Sequence, residues 1–374
     1  MSERRRTLPL YLGGFLGPFG GAVLAVLIPE LRDAFDATTD QVALASPAYL
    51  VPFAALQVVS GTLGERIGRR RAVRAAYLVY AAALLGSAAA PTIGVFLAAR
   101  AVQGAANAFT SPLLLAGLAD AVPPGRRARA VGTFAGVQAG GLSMAPLLGG
   151  LAAEISWRMA FVLPAAVALA LMWLPPDDPP AEAGEPRRIS FRSVLTKPMA
   201  LLCIAGFAGY LGMAGLAFLV SLRADDAFSL GATGRGLLLA VFGAAGLLFG
   251  NAGGRGAERL GPARAASIAA VGCAAAIAPL GVVPSSAAMA LLWFTAGAVS
   301  ALLWAGLNTI AVEAVPANRS GAVSLFAACK FSGTAVAPLL WVPVYDSAPG
   351  VAFAAAGVVL LAIVPLAPAA ARPR

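Results

Sequence analysis

The sequence predicts an all-α membrane protein, and three features of the chain indicate this fold class. Of its 374 residues, 59% are hydrophobic and only 12% are charged, and the mean hydropathy is +0.82. The apolar residues form runs of about 18 to 27, the length that an α-helix needs to cross a bilayer. The charges fall mainly in short turns between these runs, where backbone can be solvated. Because a soluble domain has about twice this share of charged residues, we expect a polytopic protein surrounded by the lipid bilayer.

Twelve runs are long enough to span a bilayer, and they fall into two sets of six. The predicted spans lie near 8–29, 42–62, 72–90, 92–118, 130–153, 158–175, 198–221, 234–254, 263–283, 286–311, 319–343 and 350–369. The stretch between the two sets is rich in proline and charge, so it cannot cross lipid. We therefore expect a six-helix bundle over 1–175, a linker over 176–197 and a second six-helix bundle over 198–374.

The charges also predict an orientation. Most of the 27 arginines and lysines lie in turns on the same side as the N-terminus. Cytoplasmic loops carry such an excess, so we expect both termini and the linker in the cytoplasm. The preference for arginine over lysine and the heavy use of alanine suggest a bacterial genome of high GC content. The expected location is the bacterial cytoplasmic, or inner, membrane.

Soluble chemistry finds little support in the sequence. The chain has no histidine, and its cysteines, Cys203, Cys273 and Cys329, stand singly within apolar runs, which favours neither a metal site nor a disulfide framework. The basic residues lie in turns rather than on one face, so they do not predict nucleic-acid binding. We expect no catalytic residues, no cofactor and no metal, and a protein that acts as a monomer.

The turn after the second predicted span carries a dense cluster of charge. It contains the pattern Gly61-x-Leu63-x-Glu65-Arg66-x-Gly68-Arg69-Arg70. Glycines allow close helix approach and tight turns, and arginines suit anionic headgroups. The pattern resembles the motif that joins the second and third transmembrane helices in the major facilitator superfamily. That resemblance implies that Glu65 holds the N-terminal end of helix 11 and latches the cytoplasmic side; a solvated, positive-inside loop is the alternative.

A second copy of this pattern indicates an internal repeat. Gly254-x-x-x-Glu258-Arg259-x-Gly261 follows the eighth predicted span. The fifth and eleventh spans align at nearly the same offset, because Phe134 and Pro146 match Phe326 and Pro338. Two such matches predict two parallel six-helix repeats, as in the major facilitator fold. The resemblance implies a substrate path between the halves.

The fifth predicted span is rich in glycine. Its pattern comprises Gly132, Gly141, Pro146, Gly149 and Gly150. It resembles the antiporter motif of drug/proton antiporters in the superfamily, although Ala145 stands where the family has glycine. Small residues at this spacing allow close helix packing, and Gly246-x-x-x-Gly250 on the eighth span offers a matching surface. The resemblance implies a seam between the halves that favours export, whereas generic packing is the alternative.

Two cations lie within predicted spans. Arg100-Ala-Val-Gln103-Gly104-x-x-Asn107 on the fourth span is similar to an Arg-x-x-Gln-Gly motif that the family links to proton transfer. A structural role in hydrogen bonding to carbonyls is the alternative. Lys330 on the eleventh span, where the first half has Gln138, matches no familiar motif and is a candidate for substrate binding or proton coupling, or for a structural contact.

The 17 acids are placed differently from those of many relatives. None lies in the middle of a predicted span. Many proton-coupled exporters of the family have a carboxylate there, so this chain departs from that pattern. Glu30 and Asp33, just beyond the first span, are the nearest substitutes.

We therefore expect a secondary transporter that exports a small organic compound or drug, as multidrug efflux proteins do, by proton antiport and alternating access. Its expected partners are a small-molecule substrate and protons. The alternatives are an organic-anion transporter working in either direction and a non-transporting sensor or scaffold on the same fold.

Overall fold

The computed structural model describes residues 3–123, 127–177, 195–315 and 319–371. Every regular element among these residues is helical, which confirms the all-α prediction. The chain divides into two compact units. The first holds Met1–Pro186 together with Ala232–Gly236, and the second holds Arg187–Gly231 and Leu237–Arg374. Most of the linker predicted over 176–197 lies outside the described residues.

Nine helices are described in the first unit. They are α1 (Glu3–Ala22), α2 (Ile28–Phe35), α3 (Thr39–Ala43), α4 (Ala45–Ile67), α5 (Arg69–Ala88), α6 (Ile93–Asn107), α7 (Ser111–Ala121), α8 (Arg127–Ile155) and α9 (Met159–Met172). A short 3₁₀ helix, Val23–Val26, links α1 to α2. The third helix is held by a capping box, because Thr38 and Gln41 satisfy each other's backbone N–H groups.

Eight helices are described in the second unit, and the first turn of one of them belongs to the first unit. They are α10 (Lys197–Gly212), α11 (Ala217–Phe228), α12 (Ala232–Leu260), α13 (Pro262–Ile277), α14 (Ser286–Ala314), α15 (Arg319–Ser347), α16 (Pro349–Leu361) and α17 (Ile363–Ala370). Short 3₁₀ helices, Ala214–Leu216 and Ala278–Gly281, follow α10 and α13.

Each of the twelve predicted spans coincides with one helix or with helices that follow end to end. The fourth span is broken at Ala108–Thr110 into α6 and α7, and α7 restarts with Pro112 in its first turn. In the described part of the chain, seven helical stretches are long and apolar enough to cross a membrane without interruption. The end of α8 and α9 form a further pair, bent by 115°.

Matching helix pairs in the two units confirm the repeat. In the first unit α1 packs on α8, and α5 packs on both α6 and α9. In the second unit α10 packs on α15, and α13 packs on both α14 and α16. These are the same pairs when the six predicted spans of each half are counted in order: the first with the fifth, and the third with the fourth and the sixth. The N-caps correspond as well, since Thr92 opens α6 as Ser285 opens α14.

Candidate functional site

The turn between α4 and α5 recurs between α12 and α13. Gly68 has a φ of 100° and Gly261 a φ of 81°, and each is the N-cap of the next helix. A side chain at these angles would strain the backbone, which is why both copies of the pattern keep a glycine here. At the second copy, Glu258 and Arg259 are exposed, and a Cβ at Gly254 would meet no atom within 4 Å.

The closest approach of α4 to α7 is at Gly64 rather than Gly61. A Cβ at Gly61 would lie 3.8 Å from Pro112, an ordinary contact, whereas one at Gly64 would lie within 3.1 Å of three atoms of Leu113. Gly64 was not predicted, although it sits one residue before Glu65. The side chain of Glu65 lies outside the described part of the structure, so its latch role stays a prediction.

Arg69 is buried against other parts of the first unit, a pairing that the sequence did not predict. It is only 4% exposed, and its Nη1 lies 2.8 Å from Oδ2 of Asp120 on α7 and 3.5 Å from the carbonyl oxygen of Asp177. Arg66 and Arg70 are exposed, as predicted. An arginine can be buried when a carboxylate pairs with it, and Asp120 is too far away in sequence for the turn pattern to predict this pair.

A row of small residues on α8 packs against α1 and the 3₁₀ helix that follows it. A Cβ at Gly141 would meet the carbonyl oxygen of Phe15 and lie 3.2 Å from its Cα, and one at Gly149 would lie 2.6 Å from the Val23 side chain. By contrast, a Cβ at Gly136 or Gly140 would meet no atom within 4 Å. The surroundings of Gly132 lie outside the described part of the structure. Gly141 and Gly149 therefore make intimate helix contacts inside the first unit, whereas Gly136 and Gly140 do not.

The end of α8 also packs closely on the first turn of α12, which belongs to the first unit. A Cβ at Gly150 would lie 3.2 Å from the Cα of Thr233, and one at Gly236 would lie 3.1 Å from the Cα of Leu147. Thr233 N–H donates a hydrogen bond of 3.1 Å to the Glu154 carboxylate. The contact therefore involves small residues on both helices. It lies toward the start of α12 rather than at Gly246 and Gly250, where the sequence placed the matching surface.

Glu30 forms an ion pair with Arg235 in the same region. The Arg235 side chain is 3% exposed, and its Nη2 donates to Oε1 of Glu30 and to the carbonyl oxygen of Val26. The other carboxylate oxygen, Oε2 of Glu30, is buried without a hydrogen-bond partner among the described residues. Glu30 is thus a partly buried acid that holds one end of α2 against the first turn of α12.

A group of polar side chains lies buried in the first unit. It comprises Tyr49, Tyr77, Tyr80, Arg100, Gln103, Asn107 and Thr110, here called the Arg100 cluster. Arg100 is fully buried on α6. Its Nη1 donates to the carbonyl oxygen of Gly20 at 2.9 Å and to Oε1 of Gln103 at 2.7 Å, and its guanidinium carbon lies 4.5 Å from the Tyr49 ring centroid. The positive charge of Arg100 is therefore stabilised by the Gly20 carbonyl, the Gln103 side-chain amide and the Tyr49 ring.

A chain of hydrogen bonds connects Thr110, Asn107 and Tyr49 of the Arg100 cluster to α1. Asn107 donates to the Tyr49 hydroxyl at 2.7 Å, and Tyr49 donates to the carbonyl oxygen of Gly17 at 3.2 Å. The Thr110 hydroxyl donates to Asn107 at 2.8 Å. A narrow cleft beside these groups is lined partly by Tyr77 and Tyr80. The cluster is therefore a connected network rather than a set of separate contacts.

Glycines on α1 make room for this network. A Cβ at Gly13 would overlap the Tyr77 hydroxyl, one at Gly17 would lie 2.7 Å from Oδ1 of Asn107, and one at Gly20 would lie 3.0 Å from Nε2 of Gln103. On α6, a Cβ at Gly104 would lie 3.1 Å from the Cα of Tyr49. The spacing of Gly13, Gly17 and Gly20 places them on one face of α1, where their lack of side chains leaves a groove for polar groups.

The Arg100 cluster is only partly satisfied. Nε and Nη2 of Arg100 and the hydroxyl of Tyr77 are buried without a hydrogen-bond partner among the described residues. A half-satisfied buried network costs stability, and such groups are commonly kept for function. The arrangement holds a fixed positive charge with N–H donors that none of the described residues accepts.

The structure brings Arg100, Gln103 and Asn107 of the fourth-span motif into one buried cluster, and their role in transport stays a prediction. Gln138 is half-buried on α8 and donates to the Ser111 hydroxyl at 3.3 Å. Lys330 lies on α15 of the second unit, half-buried among aromatic rings. The tyrosines of the Arg100 cluster were not predicted, although the i, i+3 spacing of Tyr77 and Tyr80 would have placed them on one face of α5.

Comparison with known proteins agrees with this architecture. A family model for the Major Facilitator Superfamily matches residues 10–338. The drug efflux pump JefA of Mycobacterium tuberculosis is 29% identical over 174 residues, which cover 46% of this chain and 34% of that protein. The puromycin resistance protein pur8 of Streptomyces alboniger is 31% identical over 151 residues, covering 40% and 30%. The match thus spans about a third of the length of these relatives.

A solved structure shows the same fold. The chain is similar to an inward-facing, unoccupied bacterial homologue of the human lysosomal transporter Spinster, with a TM-score of 0.77 and 18% identity. The match covers 99% of this chain and 96% of that one. Because the family model extends over most of the sequence and the helices follow its repeat, this chain belongs to the Major Facilitator Superfamily of multi-pass membrane transporters.

Proposed function

We propose that this transporter exports a small organic compound in exchange for protons. The observation that carries the proposal is the close packing of α8. Its Gly141 fits on α1, its Gly149 fits on the 3₁₀ helix Val23–Val26, and its Gly150 approaches the start of α12. This is the helix whose pattern resembles the antiporter motif of drug exporters. The kinship to a drug efflux pump and to a puromycin resistance protein supports the same direction.

The coupling proton is carried by Glu30 in this proposal. Among the described acids, Glu30 has a buried carboxylate oxygen without a hydrogen-bond partner, and its other oxygen pairs with Arg235. A proton on this carboxylate removes the negative charge and weakens the ion pair, which releases the first turn of α12 from α2. Arg100 is a fixed charge in the same unit and cannot itself act as the proton carrier, because arginine does not deprotonate in proteins.

The proposal includes the location and state of the protein. The chain acts in a bacterial cytoplasmic membrane, with both termini in the cytoplasm, and it acts as a monomer. The excess of arginine on the side of the N-terminus supports this orientation. Labelling of single cysteines placed near each terminus in intact cells tests the orientation, and mass measurement of the protein in nanodiscs tests the monomer.

The experiment for export uses a host that lacks its own efflux pumps. Expression of the chain raises the tolerated concentration of at least one compound in a panel that includes puromycin, and everted vesicles from these cells release protons when that compound is added. The matched control is Glu30→Gln, which keeps the shape of the side chain but cannot be ionised. A chain that changes no tolerance and moves no compound in vesicles is a sensor or scaffold, and the proposal is then wrong.

A further inference from the structure

The ammonium group of Lys330 lies among three aromatic rings of the second unit. Its Nζ is 4.9 Å from the ring centroid of Phe326, 5.4 Å from that of Tyr210 and 5.5 Å from that of Trp304. The rings come from α10, α14 and α15, and we call them the Lys330 cage. Tyr210 and Trp304 stand edge to face, with centroids 4.9 Å apart and planes at 68°. The cage is therefore assembled from three helices, with its rings supporting each other.

Two glycines of α10 shape the Lys330 cage. A Cβ at Gly206 would overlap the Phe326 ring and lie 3.1 Å from Cγ of Lys330, and one at Gly209 would lie 2.8 Å from Cη2 of Trp304. Any larger residue at these positions would displace the lysine stem or the indole. The sequence therefore leaves space on one helix so that a cation and its rings can fit on the others.

The charge of Lys330 lacks a counterion in the described part of the chain. No carboxylate there pairs with it and none of the described groups accepts a hydrogen bond from it; the ion pairs that are described join Arg32 to Asp33, Arg69 to Asp120 and Arg235 to Glu30. Ring contacts stabilise an ammonium, but they offset only part of the cost of removing it from water and leave its three N–H donors unused.

The Lys330 cage is not fully closed by the surrounding helices. Lys330, Tyr210 and Trp304 are each half-buried, whereas Phe326 is closed off at 1% exposed and forms the floor. Phe331 stands next to Tyr210, with centroids 5.8 Å apart, and extends the aromatic surface. An incoming group thus meets one positive charge and several ring faces at the same place.

We propose that the Lys330 cage binds the exported compound and that this compound is an aromatic organic anion. Its carboxylate or sulfonate pairs with Lys330, and its ring packs on Tyr210 and Trp304. When the site is empty, the Lys330 ammonium contacts the three rings. When the anion binds, part of this contact is replaced by the ion pair between the ammonium and the anion. The positive charge repels cationic compounds. This inference rests on the proposed export function and specifies the class of substrate.

The test measures binding to the purified full chain in lipid nanodiscs by equilibrium dialysis. The probe is radiolabelled naphthalene-1-sulfonate, which keeps its negative charge at every working pH. Cyclohexanesulfonate supplies the charge without the aromatic ring, and naphthalene-1-methanol and a trimethylammonium derivative of naphthalene supply the ring without the negative charge. Naphthalene-1-sulfonate binds saturably, and each comparison compound binds at least about ten-fold more weakly. Empty nanodiscs give the lipid background.

Variants assign the binding to the cage. Lys330→Gln weakens binding of naphthalene-1-sulfonate at least about ten-fold, whereas Lys330→Arg keeps most of it because arginine stays charged. The matched control is Lys197→Gln, the same substitution at the other lysine of the chain, which is exposed at the start of α10 and leaves binding unchanged. Trp304→Leu also weakens binding, while Trp173→Leu, at a residue that is 71% exposed, does not.

Several outcomes overturn the proposal. If all the naphthalene compounds bind equally well, the negative charge does not contribute to binding. If Lys330→Gln binds naphthalene-1-sulfonate as the native chain does, Lys330 does not hold the anion. If Lys330→Gln does not fold, Trp304→Leu and competition by unlabelled cyclohexanesulfonate still decide between ring and charge. If Lys330→Gln and Lys330→Arg both bind naphthalene-1-sulfonate normally but everted vesicles that contain them no longer release protons, Lys330 is the proton carrier instead of the anion site. Failure of sulfonate binding in a chain that still exports another compound would contradict the substrate class alone and leave the export function standing.

Discussion

Replacement of Gly141 by alanine tests how closely α8 crosses α1. The added Cβ would meet the carbonyl oxygen of Phe15 and lie 3.1 Å from its carbonyl carbon and 3.2 Å from its Cα. These are backbone atoms, so no side-chain rotation relieves the contact and the two helices must separate. Overpacking of this kind costs about 1–3 kcal/mol. Alanine in place of glycine inside a helix returns about 0.5–1 kcal/mol, so we expect a net loss of about 1–2 kcal/mol in the free energy of unfolding.

Gly140→Ala is the matched control, because it makes the same substitution one residue away on the same helix. A Cβ there would meet no atom within 4 Å, so this variant should be as stable as the native chain or more stable by about 0.5–1 kcal/mol. Reversible unfolding in mixed detergent micelles, followed by tryptophan fluorescence, measures both values. Equal stability of the two alanine variants would refute the close crossing of α1 and α8 and, with it, the packing that supports the export proposal.

Two further predictions concern charged residues of the first unit. Glu65→Gln should lower transport and raise labelling of cysteines placed in the cytoplasmic half of the cavity, because the latch needs a carboxylate at a helix N-terminus. Glu258→Gln in the second copy of the pattern should have the smaller effect. Unchanged flux and labelling in Glu65→Gln would contradict the latch. Arg100→Lys should reduce flux at least about ten-fold with little change in protein level. Lysine keeps the charge but lacks the planar guanidinium, whose carbon lies over the Tyr49 ring while its Nη1 donates to Gly20 and Gln103. Flux at the native level would show that the charge alone suffices.

The sequence predicted the features that depend on neighbours along the chain. The twelve spans follow from runs of apolar residues, and the positive φ of Gly68 and Gly261 follows from the repeated turn pattern. The position of Arg100 in a buried network also follows, because a charged residue within a span must face protein or water rather than lipid. These inferences rest on lipid solvation and backbone geometry, which act locally.

Contacts between distant segments could not be predicted in the same way. The pairing of Arg69 with Asp120 depends on where α5 and α7 meet, which the residues next to Arg69 in the chain do not show. The Lys330 cage likewise joins Tyr210 and Trp304, which stand far apart in the chain and belong to no shared motif. In a chain where most residues are apolar, hydrophobicity does not distinguish which helix faces meet, so specific side-chain neighbours emerge only from the packed structure.

The central claim is that export is driven by protons through Glu30, and its most direct test is uptake into proteoliposomes under an imposed pH gradient. The compound is the one to which the chain gives tolerance in cells, in radiolabelled form. The account predicts accumulation above the outside concentration when the lumen is acidic, loss of that accumulation when nigericin removes the gradient, and only equilibrating uptake by Glu30→Gln. Accumulation that ignores the pH gradient, or that persists in Glu30→Gln, would contradict the account.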